Sequence, residues 1–392
     1  MNKKNSLKKK IAIQISEDIS KICKFKKTGL HEPIFIGNEK KYISECLSST
    51  NVASTGRFIK LFENKIKKLT KAKYAVSVSC GTSALHLALL ANKIDSKDEV
   101  IVPCLSFVGT VNAVSYCNAI PHFVDIDEKT LGIDPYKLDK WLSKTTTIQK
   151  GSLYNIKTKR KIAAIIPVHV FGNPCKIEEI CKIAKKYNLK VIEDAAESIG
   201  SFVGKKHTGT FGNIGIFSFN GNKTITTGGG GMVITNSKSF SDKIRSLSTT
   251  AKKNHPWNFD HDSIGFNYRL PNINAALGCA QIENLSKILS IKKKIHNKYK
   301  KIFKKYDNLN LLLPIENTIS NYWVNAIILK NKDEYLFKQI LKITNSKGVQ
   351  TRPSWKLLNL LTPYKKCPKS NLNTARKLQS RIINLPSGPN LS

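Results

Sequence analysis

The stretch IGIFSFNGNKTITTGGGGMVIT, residues 214–235, sets two apolar strand-like runs (214–219 and 231–235) on either side of a lysine, Lys223, and four consecutive glycines. Short apolar runs bounded by turn formers read as strands, and Gly228 to Gly231 let the backbone turn tightly after the lysine. Upstream, the same kind of run recurs. YAVSV (74–78) precedes TSALHLALLAN, EVIVP (99–103) precedes FVGTVNAVSYCN, and IPHFVDI (120–126) follows. KIAAIIPVHVF (161–171) then leads through IEEICKIAKKYN to KVIEDA (190–195). Repeated strand-then-helix order predicts an α/β fold, a mainly parallel sheet covered by helices on both faces.

Beyond RLPNINAALG (269–278) the pattern changes to a long Lys-rich helix, an isolated strand in YWVNAIIL (322–329), a helix and a Pro-containing tail. This predicts a helical N-terminal extension over 1–30, a large domain over 31–284 and a smaller C-terminal α+β domain over 285–392. Residues 144–160, polar and rich in Lys and Thr, read as a loop.

The chain of 392 residues can bury a large core. Its hydrophobic (41%) and charged (23%) fractions are ordinary for a globular protein. Its net charge of +38 is not, and it invites a nucleic-acid reading. Only seven of the 65 basic residues are Arg, however, and the lysines spread along the chain without a recognition motif. A solvated surface accounts for them, so nucleic acid is not an expected partner, although a positive field would draw in a small anionic substrate. Nine cysteines form no C-x-x-C pair and no metal-ligand spacing, which favours reduced thiols in a cytoplasmic protein and no metal site. The first apolar stretch is interrupted by Gln14 and ends at Glu17 and Asp18, unlike a signal peptide, and no run approaches the ~18 apolar residues of a membrane span.

In open parallel sheets ligands bind beyond the carboxyl ends of the strands, and four such places stand out. Gly81, Thr82 and Ser83 follow the first strand, where a glycine permits close approach, the hydroxyls can cap a helix, and free N–H groups would face an anion. Phe107 follows the second strand as a flat aromatic face. Asp194 ends the run KVIED, with Glu197 three residues on, and Lys223 follows IGIFSF. Each has a plainer reading alone: an ordinary cap, a core aromatic, a capping carboxylate, one lysine among many. Together they are the parts that pyridoxal phosphate requires, namely a phosphate nest, a ring-stacking face, a carboxylate for the pyridine nitrogen and a lysine for the aldehyde. Ser218 and Asn220 could also reach the phosphate.

The segments NVASTGRF, GTSALHLAL, PVHVFG, EDAAES, TGTFGNIGIFSFNGNKTITTGGGGM, GFNYRLPNINAALG and TRPSWKLL closely resemble the DegT/DnrJ-type sugar-nucleotide aminotransferases, fold-type I pyridoxal phosphate enzymes. The resemblance implies that Lys223 forms the Schiff base with the cofactor, Asp194 pairs with the pyridine nitrogen, Phe107 stacks on the ring and Glu197 lies near its phenolic oxygen. It implies that Gly81, Thr82, Ser83 and Ser218 hold the phosphate, joined by Asn267 from the second subunit of a homodimer. It also places Thr55, Gly56, His169 and Arg269 near the sugar, and treats Cys80 as a packed small residue. Some relatives carry His in place of the lysine and dehydrate instead, so retention of Lys223 implies transamination. HEPIFIGNEKKYI and HPWNFDHDSIGFNYRLPNINAALG are most similar to the branch that aminates C4 of nucleotide-linked 4-keto-6-deoxy sugars for legionaminic acid, with glutamate as donor. Formation of GDP-perosamine and a cofactor-binding regulator without turnover are the alternatives.

Overall fold

The computed structural model describes residues 3–23, 27–253 and 255–391; residues 1, 2 and 24–26 of the expected N-terminal extension lie outside them. Among the described residues sixteen strands form in chain order. The first seven are β1 (Tyr74–Val78), β2 (Asp98–Pro103), β3 (Ile120–Val124), β4 (Thr146–Gln149), β5 (Ser152–Asn155), β6 (Lys161–Ile165) and β7 (Lys190–Asp194). A small hairpin, β8 (Phe202–Val203) and β9 (Lys206–His207), precedes β10 (Ile214–Ser218) and β11 (Gly231–Thr235). The C-terminal third adds β12 (Leu309–Leu311), β13 (Thr318–Ile319), β14 (Asn325–Leu329), β15 (Arg352–Pro353) and β16 (Ile382–Leu385).

Nine strands make one large sheet, with the path β1-β11-β10-β7-β6-β2-β3 and the β4–β5 hairpin attached to β6. The pairs β10–β7, β7–β6, β6–β2 and β2–β3 are parallel, while β11 runs antiparallel to both β10 and β1. The seven strands of the path are buried along nearly their whole length, as expected where helices cover both faces, whereas β4 stays at the surface. One exception to the sequence expectation lies at 144–160. Here β-branched Thr146, Thr147 and Ile148 form β4, and the left-handed Lys150–Gly151 pair turns the chain into β5, so the segment is a hairpin and not a loop.

The strand expected to stand by itself at 322–329 is also corrected. It starts at Asn325 and pairs inside a four-stranded antiparallel sheet ordered β12-β14-β16-β15, with partners distant in sequence. The N-terminal helix Lys3–Ser20 buries Ala12, Ile15 and Ile19 against the layer formed by Ile295, Tyr299 and Ile340, and so covers this second sheet. Asn284 separates helix Asn272–Glu283 from helix Leu285–Phe303. Among the described residues no helix is long and apolar enough to cross a membrane.

Candidate active site

The carboxyl ends of β1, β2, β7 and β10 open into one cavity of about 670 Å³, closed on its far side by residues 29–32, Trp323 and the β15–β16 edge. Asp194, the last residue of β7, is buried there. Its Oδ2 accepts from the Thr110 hydroxyl at 2.8 Å and its Oδ1 from the Ala196 N–H at 3.2 Å. Ser106 sits 2.9 Å behind Thr110, which fixes that hydroxyl. Burial pushes the Asp194 carboxyl up, against the pull of the Thr110 and Ala196 donors.

Lys223 reaches the cavity from a loop closed on itself. The Lys223 N–H donates to the Asn220 carbonyl at 2.9 Å, Phe219 N–H to Gly230 O at 2.8 Å, and Thr227 N–H to Phe219 O at 2.9 Å. The glycines make that closure possible: a Cβ at Gly231 would lie 2.4 Å from the Cys80 carbonyl, and Gly228 takes a φ of +78°. The lysine Nζ stands 3.7 Å from Glu197 Oε1 and 4.0 Å from the Trp323 ring centroid. Burial pushes Lys223 down, with the Glu197 and Asp194 charges opposing; the same burial pushes Glu197 up to about 7. Glu197 Oε2 also accepts from the backbone N–H of Phe171, whose φ of +57° turns that donor inward at 2.8 Å.

Across the cavity, helix Gly81–Ala91 begins. Its N-cap is Cys80, whose Sγ accepts from Ser83 N–H at 3.3 Å while Ser83 Oγ accepts from Cys80 N–H at 3.1 Å, a reciprocal capping box. A Cβ at Gly81 would sit 2.9 Å from Ser218 Cβ, so only glycine lets the helix start approach β10 this closely. Thr82, Ser218, Asn220 and Asn222 line the space in front of that helix terminus, a setting suited to an anion. A phosphate cradle, a buried carboxylate and a buried lysine thus share one cavity, and the residues present fit pyridoxal phosphate.

Of the residues singled out from sequence, Gly81, Thr82, Phe107, Asp194, Glu197, Ser218 and Lys223 line this cavity. Phe107 forms its rim, 53% exposed. Ser83 lies behind, spent in the capping box, and Cys80 is an exposed cap where a packed residue was expected. His169 is fully buried and turned away: its Nε2 lies 3.2 Å from Glu193 and its Nδ1 accepts from Cys175 N–H at 3.2 Å, so both ring nitrogens are taken by the scaffold. Thr55, Gly56 and Arg269 line a different cleft, of about 480 Å³, with Lys60, Tyr74 and Arg245. Asn267 is exposed and bridges Thr249, outside the cavity. The sequence reading passed over His31, Thr110, Trp323, Arg352 and Asn384, all on the cavity wall. For Trp323 the available signal was an aromatic just ahead of an apolar strand; the others carried none.

The model of the DegT/DnrJ/EryC1/StrS aminotransferase family matches residues 34–392. A GDP-perosamine synthase of Escherichia coli O157:H7 is 40% identical over 368 residues, which cover 93% of this chain and 94% of that protein. Among solved structures, a DegT DnrJ EryC1 StrS aminotransferase from Brucella abortus is 28% identical with a TM-score of 0.80, covering 91% of both chains. Helicobacter pylori PseC, an aminotransferase involved in the biosynthesis of pseudoaminic acid, is 26% identical with a TM-score of 0.83, covering 93% of this chain and 95% of its own.

Proposed function

The chain belongs to the DegT/DnrJ/EryC1/StrS aminotransferase family, and on that premise we propose that it moves an amino group from glutamate to C4 of a nucleotide-linked 4-keto-6-deoxy sugar for surface glycan synthesis. The protein is a pyridoxal phosphate-dependent sugar aminotransferase. The observation that supports the transamination chemistry is Lys223, buried between Glu197 and the Trp323 face in the cavity that also holds Asp194.

Pyridoxal phosphate, when bound, supplies an aldehyde that condenses with amines and a ring that accepts carbanion electrons. Asp194, oriented by Thr110 and Ala196, would hold the proton on the ring nitrogen. The N–H groups at Gly81 and Thr82, with the Ser218 hydroxyl, would hold the phosphate, and Phe107 would cover the ring. Lys223 would serve as the base that takes the proton from the donor α-carbon and, in the separate second half-reaction, as the acid that delivers a proton to the sugar C4. Burial lowers its basicity toward what that proton transfer needs. The Glu197 carboxylate, 3.7 Å from Nζ, acts on Lys223 through its charge and opposes loss of the lysine's proton.

We propose a homodimer. Thr55, Gly56, Asn267 and Arg269 lie away from this chain's own cavity and would complete the site of a second copy. Exposed Trp257, Phe259 and Ile264 (75%, 79% and 87%) on the segment ahead of Asn267 give that contact an apolar surface. A cytoplasmic location is supported by nine free thiols. GDP as the carrier nucleotide is supported by the 40% identity to a GDP-perosamine synthase, and the legionaminic-acid branch by the N-terminal motif around His31.

Incubation with glutamate and a panel of GDP-, UDP- and dTDP-linked 4-keto sugars, followed by NMR of the product, tests the reading. One carrier is expected to give a 4-amino sugar; turnover of none would overturn it. Conversion of the bound cofactor to its amine form by glutamate alone separates an enzyme from a regulator. Lys223→Ala is expected to bind the cofactor while losing at least about a thousandfold in kcat.

A further inference from the structure

Lys292, on helix Leu285–Phe303, is completely buried, and the reaction described above makes no use of it. Its Nζ has three polar partners and no carboxylate among them: it donates to the Ser387 carbonyl at 2.7 Å and the Trp323 carbonyl at 3.2 Å, and lies 2.8 Å from His31 Nε2. With no carboxylate beside it, burial pushes Lys292 well below the ordinary lysine range. Burying such a group costs stability that a methionine of similar volume would not. What it provides in return is position. Its partners belong to three separate segments, and each segment contributes to the cavity wall through His31, Trp323 or Asn384.

We propose that Lys292 is a positioning residue for the reaction, tying these three segments into one node and so holding the Trp323 ring against Lys223.

The ring is fixed from two further sides. Its Nε1–H donates to the Asn222 carbonyl at 2.7 Å, one residue before Lys223, and the Trp323 N–H donates to Asn321 Oδ1 at 2.9 Å. Between Asn321 and Trp323, Tyr322 is held at a φ of +51°, a conformation that persists only where surrounding bonds impose it. The hold of Lys292 on the Trp323 carbonyl is one of those bonds. An aromatic face below an ammonium stabilises its charged form. The groups that face Lys223 are therefore the Trp323 ring, the Glu197 and Asp194 carboxylates and, on the far wall, His31. The carboxylates and the ring oppose the burial that strips the proton, and the ring also fixes where the freed amine rests.

The proposal rests on Lys223 being the reactive amine, and its test separates the two claims. Pyridoxal phosphate is added to the cofactor-free protein and the rate of colour development is followed from pH 6 to pH 10; only the neutral amine attacks, so the midpoint of the profile reports Lys223. Trp323→Leu is expected to shift the midpoint down by roughly half to one pH unit, and Trp323→Phe by less. Lys292→Met should shift it in the same direction and lower kcat about tenfold with a smaller change in the KM for the sugar. Lys292→Gln, which keeps two donors, replaces Lys292→Met if the latter does not fold and should give the same direction. A wild-type midpoint in a folded Lys292 variant would overturn the proposal and leave the assignment of Lys223 standing. Absence of colour in the wild type, or colour undiminished in Lys223→Ala, would overturn that assignment instead.

Discussion

Glu197 converts its burial into a pH dependence that can be measured. Its carboxyl, ordinarily near 4.5, is pushed up to about 7 by burial, with Lys223 opposing. Because the folded value lies above the unfolded one, its contribution to stability is fully present below about 4.5 and is lost as pH rises through about 7. Lys223 works at the other end: its value is lowered, so its contribution is present above 10.5 and lost as pH falls through the folded value. Thermal melts of the cofactor-free protein between pH 5 and 8 should therefore show a decline that Glu197→Gln flattens. Identical slopes in the two proteins would refute this electrostatic account. Lys223, Asp194 and Glu197 were legible in the sequence because each closely follows an apolar run, and strand ends meet at one edge of a parallel sheet. His169 occupies the same kind of position, yet its ring points into the scaffold toward Glu193. Strand-end position does not fix side-chain direction. Trp323 and Lys292 could not have been found that way, since what matters is their contact across distant segments.

Short elements show where local chemistry overrules composition. The polar segment 146–155 forms a hairpin because its threonines are β-branched and Lys150–Gly151 supplies two left-handed residues, whereas its polarity alone suggested a loop. Likewise, Thr82 and Ser83 were legible as capping hydroxyls, but the cap itself is the residue before them. Cys80 does that work with a thiol, a weak acceptor. Cys80→Ser should therefore keep the box and hold or slightly raise the melting temperature, and Cys80→Ala should cost about 1 kcal/mol. Because the cap fixes the start of the helix facing the phosphate, Cys80→Ala should also weaken cofactor affinity, as read by fluorescence titration. Equal stability and affinity in the two variants would show that the box contributes nothing. The antiparallel sheet that contains β14 was beyond a local reading, since its pairing partners come from 309–311 and 382–385.

At the scale of the whole molecule, the alternating strands and helices were sufficient to anticipate the mainly parallel sheet. The way the N-terminal helix covers the C-terminal sheet had no local signature, because a Lys-rich amphipathic helix fits many surfaces. Exposed Trp257, Phe259 and Ile264 belong to this scale too. Under the proposed homodimer, replacing all three with Ser should leave the fold intact, give a monomer in light scattering, and remove activity. A monomeric variant of full activity would sink the shared-site reading. The far wall of the cavity has one more consequence, for biosynthesis. Ser387 N–H donates to the Leu30 carbonyl at 2.7 Å and Asn390 to the Glu32 carboxylate at 2.6 Å, the latter pair 358 positions apart. A ribosome adding roughly 5–20 residues per second leaves Leu30 and Glu32 without these partners for about 20–70 s, so the vitamin-binding chamber can be finished only after residues 387–390 have been made.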